Sequence, residues 1–251
     1  MRQIYRLAVL RATRPSFLVL APLCVLLGIA LAARQPVPLS LTEVVLVLVG
    51  GLLAHAAVNL LNEYDDFRSG LDHLTQRTPF SGGSGALPAA PGAAPAVLAA
   101  GLVALAGVTI IGVAFLWWRG WPMLAVGLPG LALVVAYTRW LTRSPWVCLM
   151  APGLGFGPLM VLGTMLALGG TPDATSLWVS LVVGLLVSEL LLLNQLPDRD
   201  ADRRVGRRHL VILLGAHRAA RLVGVLLLAA FAVVAVGAIA RQKICKVLPN
   251  S

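Results

Sequence analysis

Apolar residues run along this chain in long uninterrupted blocks, separated by short polar segments that carry most of the charge. The blocks cover residues 16–33, 41–61, 92–118, 121–138, 145–168, 176–196 and 217–240. Each is close to the roughly 20 residues that a tilted helix needs to cross a ~30 Å hydrocarbon layer. No soluble linker separates them. The pattern predicts an all-α fold, a polytopic transmembrane helical bundle of about seven spans, with residues 1–251 forming one membrane-embedded domain. The first block also has marks of a secretory signal, since Arg2, Arg6, Arg11 and Arg14 precede it and the small residues Ala30 and Ala32 close it. The number of spans that follow favours a resident helix.

Composition sharpens this picture. Of 251 residues, 59% are hydrophobic and 12% charged, whereas aqueous domains are nearer a quarter charged. Basic residues collect on the cytoplasmic side of membrane spans. With the N-terminus inside, Arg2, Arg6, Arg11, Arg14, Arg68, Arg77, Arg139, Arg143 and the group from Arg199 to Arg221 all fall in the cytoplasm, and the outer loops hold only Arg34 and Arg119. The tail departs from this rule, because Arg241, Lys243 and Lys246 come on the outer side. The net charge of +10 follows topology and an anionic leaflet; no soluble basic face with interleaved aromatics offers a nucleic-acid surface. Cys24, Cys148 and Cys245 have no metal-ligand spacing and read as apolar filler. Trp117, Trp118, Trp121, Trp140 and Trp146 stand at span ends, as an interfacial belt requires.

The acids carry the chemical information. There are ten, and seven fall in two places: Glu63, Asp65, Asp66 and Asp72 after the second span, and Asp198, Asp200 and Asp202 after the sixth. Each group places an asparagine four residues ahead of an aspartate, Asn62 before Asp66 and Asn194 before Asp198. Residues four apart share a helical face. His55, Asn59, Asn62 and Asp66 therefore form one stripe, and Asn194, Asp198 and Asp202 a second if the helix continues past Pro197. Gly70 is expected to end the first helix and let Asp72 fold back toward Asp66. Carboxylates at the edge of an apolar layer need cations. Oxygen-only donors suit hard divalent ions, and Mg²⁺ takes one or two carboxylates together with water and substrate phosphate.

The segments NEYDDFRSGLD (62–72), RTPFSGGSGALP (77–88) and NQLPDRDADRRVGRRHL (194–210) resemble the paired aspartate motifs of the UbiA superfamily of intramembrane aromatic prenyltransferases. The six-residue step from Asp66 to Asp72 is closest to the branch that uses 1,4-dihydroxy-2-naphthoate in menaquinone biosynthesis. GPLMVLGT at 157–164 is similar to a helix segment of the same branch. Glu63 stands where the family usually has Asp, and keeps the charge. The family fold has nine transmembrane helices, so about seven spans leave two readings: a chain shortened at its C-terminus, or blocks that each merge more than one helix.

The resemblance implies an enzyme that transfers a polyprenyl group from an isoprenyl diphosphate to an aromatic acceptor, with Mg²⁺ as cofactor. It implies metal binding by Asn62, Asp66 and Asp72 on one side and by Asn194, Asp198 and Asp202 on the other, with Asp66 and Asp198 most directly catalytic. The same six residues bind substrate through the ions. Arg77, Tyr137 and Arg139 are further substrate-binding candidates, the guanidiniums being suited to diphosphate or an acceptor carboxylate. The GGSG run could wrap phosphate. His55 is expected behind the Asn59–Asn62 face, and Glu189, ionisable within a span, is a functional candidate or pairs with a neighbouring helix. For a naphthoate acceptor, alkylation comes with loss of the carboxylate. Other acceptors, 4-hydroxybenzoate or homogentisate, and a non-catalytic shortened paralogue are the alternatives. A transporter would place its acids near the midplane instead of at one rim. The expected location is the cytoplasmic membrane of a bacterium, multi-pass, with N-terminus and active site cytoplasmic; 18 arginines against two lysines suit a GC-rich genome.

Overall fold

Arg14 divides the N-terminal segment into two helices, α1 (Arg2–Ala12) and α2 (Pro15–Ala33). Its φ of 52° is the only positive value at a non-glycine position among the described residues. Pro15 follows directly, disfavouring a helical conformation at Arg14 and opening α2 with its φ already set. Asn59 secures the break by donating through Nδ2 to the Thr13 carbonyl at 2.9 Å. The chain continues as α3 (Leu41–Ser69), α4 (Pro91–Arg119), α5 (Pro122–Ala136), α6 (Pro145–Ala167) and α7 (Ala174–Arg204), then α8 (Ala216–Val247). This computed structural model describes residues 2–78 and 81–247, with side chains described through Ala240. The basic tail residues Arg241, Lys243 and Lys246, and Cys245, lie outside the described side chains.

The described residues are helical or irregular, without strands, as the apolar blocks predict. Among the described residues, six helices are long and apolar enough to cross a membrane. The expected span at 121–138 is instead α5, a helix of 15 residues that rises only about 22 Å. Gly120, at φ 77°, breaks the chain before it. After Ala136 the backbone tightens into a turn, where Thr142 N–H donates to the Tyr137 carbonyl at 3.1 Å.

The core follows the small residues. Cys24, Val25, Leu31 and Ala32 of α2 are buried with Val47 of α3, Phe115 of α4 and Val161 and Met165 of α6. Gly28 lets α2 meet α6 closely, since a Cβ there would lie 2.6 Å from the Val161 carbonyl oxygen. In α6 the segment Gly155–Leu162 widens into a π-helix. Gly157 lies against α7 so tightly that a Cβ would come within 2.3 Å of the Ser180 carbonyl oxygen. Close approach through small residues is how helices gain contact in an apolar solvent.

The bundle has two chemically distinct ends. One gathers Gln35, Glu43, Arg119 and Thr171, with Arg119 Nη2 on Glu43 at 2.6 Å and Gln35 Nε2 donating to the Thr171 carbonyl at 2.8 Å. Asp173 caps α7 there by accepting from Ser176 N–H at 2.7 Å, a bond that holds its carboxyl below the usual range. The other end carries both acidic groups.

Candidate active site

Helix α3 runs uninterrupted to Ser69, and Gly70 terminates it in the left-handed conformation at φ 79°. A 3-10 turn, Leu71–His73, then brings Asp72 back beneath the helix end, where it is buried and faces the same cavity as Asp66. Helix α7 continues through Pro197 to Arg204, so Asn194, Asp198 and Asp202 form the stripe expected from their spacing. All three line that cavity together with His55, Asn59, Asn62, Asp66 and Asp72.

The cavity has a volume of about 590 Å³, within the range of small-molecule sites. Its deeper walls are apolar, formed by Val47, Ile111, Phe115, Met123, Leu128, Phe156 and Met160 among others, with Gly50, Gly51 and Gly163 between them. Its rim is polar. The arrangement is amphipathic from end to end, with room for a long apolar group below a charged one.

Hydrogen bonding at the rim is asymmetric. Asn62 Nδ2 donates to Asp66 Oδ2 at 2.9 Å, and Asn62 Oδ1 accepts from Thr138 Oγ1 at 3.0 Å. The other oxygen of Asp66 meets the Arg207 guanidinium. Arg207 Nη1 also reaches Asp202 Oδ1 at 2.9 Å, and His209 Nε2 lies 2.8 Å from Asp202 Oδ2. Every oxygen of Asp66 and Asp202 thus has a protein partner. Asp72 Oδ2 and Asp198 Oδ1 are buried with none, although buried polar atoms are normally satisfied. The Asn194 side chain makes no hydrogen bond among the described residues.

The glycine-rich loop ties the two acidic groups together. Gly82 N–H donates to Asp198 Oδ2 at 2.9 Å, and a Cβ on Gly83 would fall 2.8 Å from Asp72 Oδ1. Both glycines have positive φ, 79° and 74°, which only glycine adopts without strain. Ser84 N–H donates to Glu63 Oε2 at 3.1 Å, and its hydroxyl bonds the other Glu63 oxygen. The loop donors Gly82 N–H and Ser84 N–H are therefore engaged by carboxylates. Arg14 Nη2 completes the surroundings of Glu63 at 3.3 Å.

The rim holds the carboxylates of Glu63, Asp66, Asp72, Asp198 and Asp202 against the guanidiniums of Arg14 and Arg207. Burial, and then the neighbouring charges of Glu63 and Asp66, push the Asp72 carboxyl up to about 7. Burial opposes the charge on Arg207, but Asp66 and Asp202 outweigh it and hold the guanidinium firmly protonated.

Among the described residues no group of three His, Cys, Asp or Glu side chains lies close enough together to hold a metal ion. Arg207 stands between Asp66 and Asp202 and supplies the cation there. The two free oxygens, on Asp72 and Asp198, still form an oxygen-only donor set that fits Mg²⁺, which takes few protein carboxylates and completes its shell with water and phosphate.

Tyr137 lines the cavity. Arg139 does not; it forms a two-pronged pair with Asp65, both bonds 3.0 Å, on the exposed surface away from the cavity. Arg77 is also exposed, with its guanidinium stacked over Gly85. His55 is buried and edge-on to Phe156 with centroids 4.8 Å apart, inside the cavity wall as its place on the stripe suggests. Glu189 is half-buried and makes no ion pair among the described residues. Three rim residues carry no sequence pattern that points to the site: Arg14 and Arg207, which membrane topology alone explains, and His209. Only the position of Arg207 just beyond the Gly206 turn, five residues from Asp202, gives a local cue.

This chain is similar to known proteins in sequence and in fold. The family model described as the UbiA prenyltransferase family covers residues 21–244. The 1,4-dihydroxy-2-naphthoate octaprenyltransferase of Bacillus subtilis (strain 168) is 32% identical over 225 residues, covering 88% of this chain and 69% of the relative. The protein of the same name from Escherichia coli (strain K12) is 28% identical over 220 residues, covering 84% and 70%. A solved structure of a UbiA homolog from Archaeoglobus fulgidus bound to GPP and Mg²⁺ superposes with a TM-score of 0.68 at 17% identity, over 96% of this chain and 82% of that one. The same homolog bound to DMAPP and Mg²⁺ gives 0.66, over 90% and 75%. At that identity the likeness is one of fold.

Proposed function

We propose, because this chain belongs to the UbiA prenyltransferase family and is an integral membrane prenyltransferase, that it transfers a polyprenyl group from its diphosphate to 1,4-dihydroxy-2-naphthoate. The observation that carries this reading is the convergence of Asp66 and Asp72 with Asp198 and Asp202, from opposite halves of the chain, on the rim of one apolar cavity. The acceptor is inferred from the two curated relatives, both named for the naphthoate. Dependence on Mg²⁺ is inferred from the donor chemistry of the rim.

In this reading the prenyl tail lies against Val47, Ile111, Phe115 and Phe156, where apolar burial of roughly 0.8 kcal/mol per CH₂ holds it. The diphosphate lies at the rim, where the free oxygens of Asp72 and Asp198 would hold the divalent ion that accompanies it. Asp72 and Asp198, with Asp66, Asp202, Asn62 and Asn194 beside them, would hold Mg²⁺, which would supply the positive charge that stabilises the leaving diphosphate. Asn62 aims the Asp66 carboxylate, and Gly82 N–H aims that of Asp198. Apolar walls exclude water from the allylic carbon, so the electron-rich ring, not solvent, forms the new C–C bond. With the naphthoate, the ring carbon that is alkylated loses its carboxylate as CO₂. Tyr137, on the cavity wall, is a contact for the acceptor. The rim faces the cytoplasm of a bacterial cell, on the side rich in arginine.

The test uses membranes containing this chain, Mg²⁺, a labelled polyprenyl diphosphate and each candidate aromatic acid separately, with products read by mass spectrometry. Prenylated, decarboxylated naphthoate that disappears on chelation is the expected result. Product with 4-hydroxybenzoate or homogentisate only would replace the acceptor, and no product from inserted protein would overturn the enzyme reading.

A further inference from the structure

The charge between the two acidic groups belongs to the protein itself. Arg207 contacts Asp66 Oδ1 and, at 2.9 Å, Asp202 Oδ1. It is mostly buried, and it is the only side chain among the described residues that bonds both groups directly. Its backbone is pinned on both sides: Arg207 N–H donates to the Asp202 carbonyl at 3.0 Å, and Arg208 N–H to the Thr142 carbonyl at 2.9 Å. Gly206, at φ 80°, turns the chain so that a residue beyond the end of α7 can point back into the rim. The other oxygens of Asp66 and Asp202 are taken by Asn62 and His209. Consequently the carboxylates of Asp66 and Asp202 are saturated, while the free oxygens are on Asp72 and Asp198.

We propose that Arg207 is a resident counter-ion that holds the two acidic groups together before substrate arrives, competes with the divalent ion for Asp66 and Asp202, and turns to the diphosphate once that ion is bound. This rests on the function proposed above. Two negative groups facing each other across a poorly hydrated rim repel, and a guanidinium bridging them removes that repulsion. A free divalent ion meets the same carboxylates already paired, so it binds weakly alone. When it arrives with a diphosphate, the released guanidinium gains a new anion, whose oxygens match its planar fork. Arg207 is thus a positioning residue that makes the site prefer the metal–diphosphate pair to the bare metal.

The two effects have opposite signs, which gives the test. Purified full-length protein in detergent is titrated with Mn²⁺ alone, followed by electron paramagnetic resonance, and with inorganic pyrophosphate in the presence of Mg²⁺, followed by calorimetry. R207Q is expected to bind Mn²⁺ roughly tenfold more tightly than wild type and Mg²⁺–pyrophosphate roughly tenfold more weakly. A residue that merely supports the loop would lower both affinities. R207K keeps a charge but reaches both carboxylates poorly, and is expected to bind Mn²⁺ with intermediate affinity. Should R207Q not fold, R207K decides. Mn²⁺ affinity unchanged or reduced in the folded variant would overturn the proposal. Failure of wild type to bind Mg²⁺–pyrophosphate would instead count against the function reading, and is seen in a separate titration.

Discussion

Gly82 N–H reaches Asp198 Oδ2 at 2.9 Å across 116 positions of sequence. The loop that follows the first acidic group is therefore tied to the second, and the active-site rim is closed by backbone as well as by charge. Asp198→Ala removes this acceptor and one of the two free carboxylate oxygens. We expect turnover to fall by at least about 100-fold, as for loss of a group acting on charge in the transition state, with membrane insertion intact. Faster amide exchange at residues 81–85 should accompany the loss, read by hydrogen exchange with mass spectrometry. Near-normal turnover would remove Asp198 from the site.

Gly83 leaves the space that Asp72 occupies. Gly83→Ala places a methyl 2.8 Å from Asp72 Oδ1 and imposes a side chain at φ 74°, for a backbone cost of about 1–2 kcal/mol. Thermal denaturation should show lower stability. The KM for the prenyl diphosphate should rise more than kcat falls, since the displaced carboxylate is a binding group.

Arg14 is the charged partner of Glu63, which has no exposed surface. Arg14→Ala leaves that carboxylate with only the Ser84 bonds, and breaking such a buried pair costs about 3 kcal/mol. The predicted result is a lower melting temperature in detergent at pH 7. Arg139→Ala is the contrasting case: its pair with Asp65 is largely exposed, and surface pairs are worth about 0–1 kcal/mol. Stability and the KM for diphosphate should change little. A large rise in KM would restore Arg139 as a substrate contact.

Asp72 gives a pH dependence with a defined sign. Its carboxyl is raised to about 7 in the folded protein, against about 3.9 unfolded. The folded state therefore holds this proton more tightly, and stability contributed by Asp72 falls as pH rises from about 4 to about 7. Asp72→Asn removes the penalty, so the metal-free variant should melt a few degrees higher than wild type at pH 8. The difference should shrink at pH 5. Equal melting temperatures at both pH values would contradict the environment described for Asp72.

Much of this was legible in the residues. Apolar block length found the helices, and four-residue spacing put Asn62 with Asp66 and Asn194 with Asp198 and Asp202 on common faces. Gly70 marked the turn that returns Asp72. The short helix Pro122–Ala136 was read as a full span because its apolar character continues into the turn at Tyr137. Arg207 and Arg14 were hidden for a different reason. In a chain with 18 arginines, membrane topology accounts for basic loop residues whether or not they reach a site, and pairing across 141 positions leaves no local pattern. Arg139 shows the converse: a guanidinium beside the right helix end pairs outward with Asp65 once the helix face is known.

The most direct test of a shared diphosphate site uses an unreactive prenyl thiolodiphosphate, titrated by calorimetry into wild type, Asp66→Ala and Asp198→Ala, with and without Mg²⁺. Binding to wild type should require Mg²⁺, and each variant should bind at least about 30-fold more weakly, a loss of about 2 kcal/mol. Wild-type affinity in either variant, or Mg²⁺-independent binding to all three proteins, would contradict the claim that the two acidic groups hold one diphosphate together.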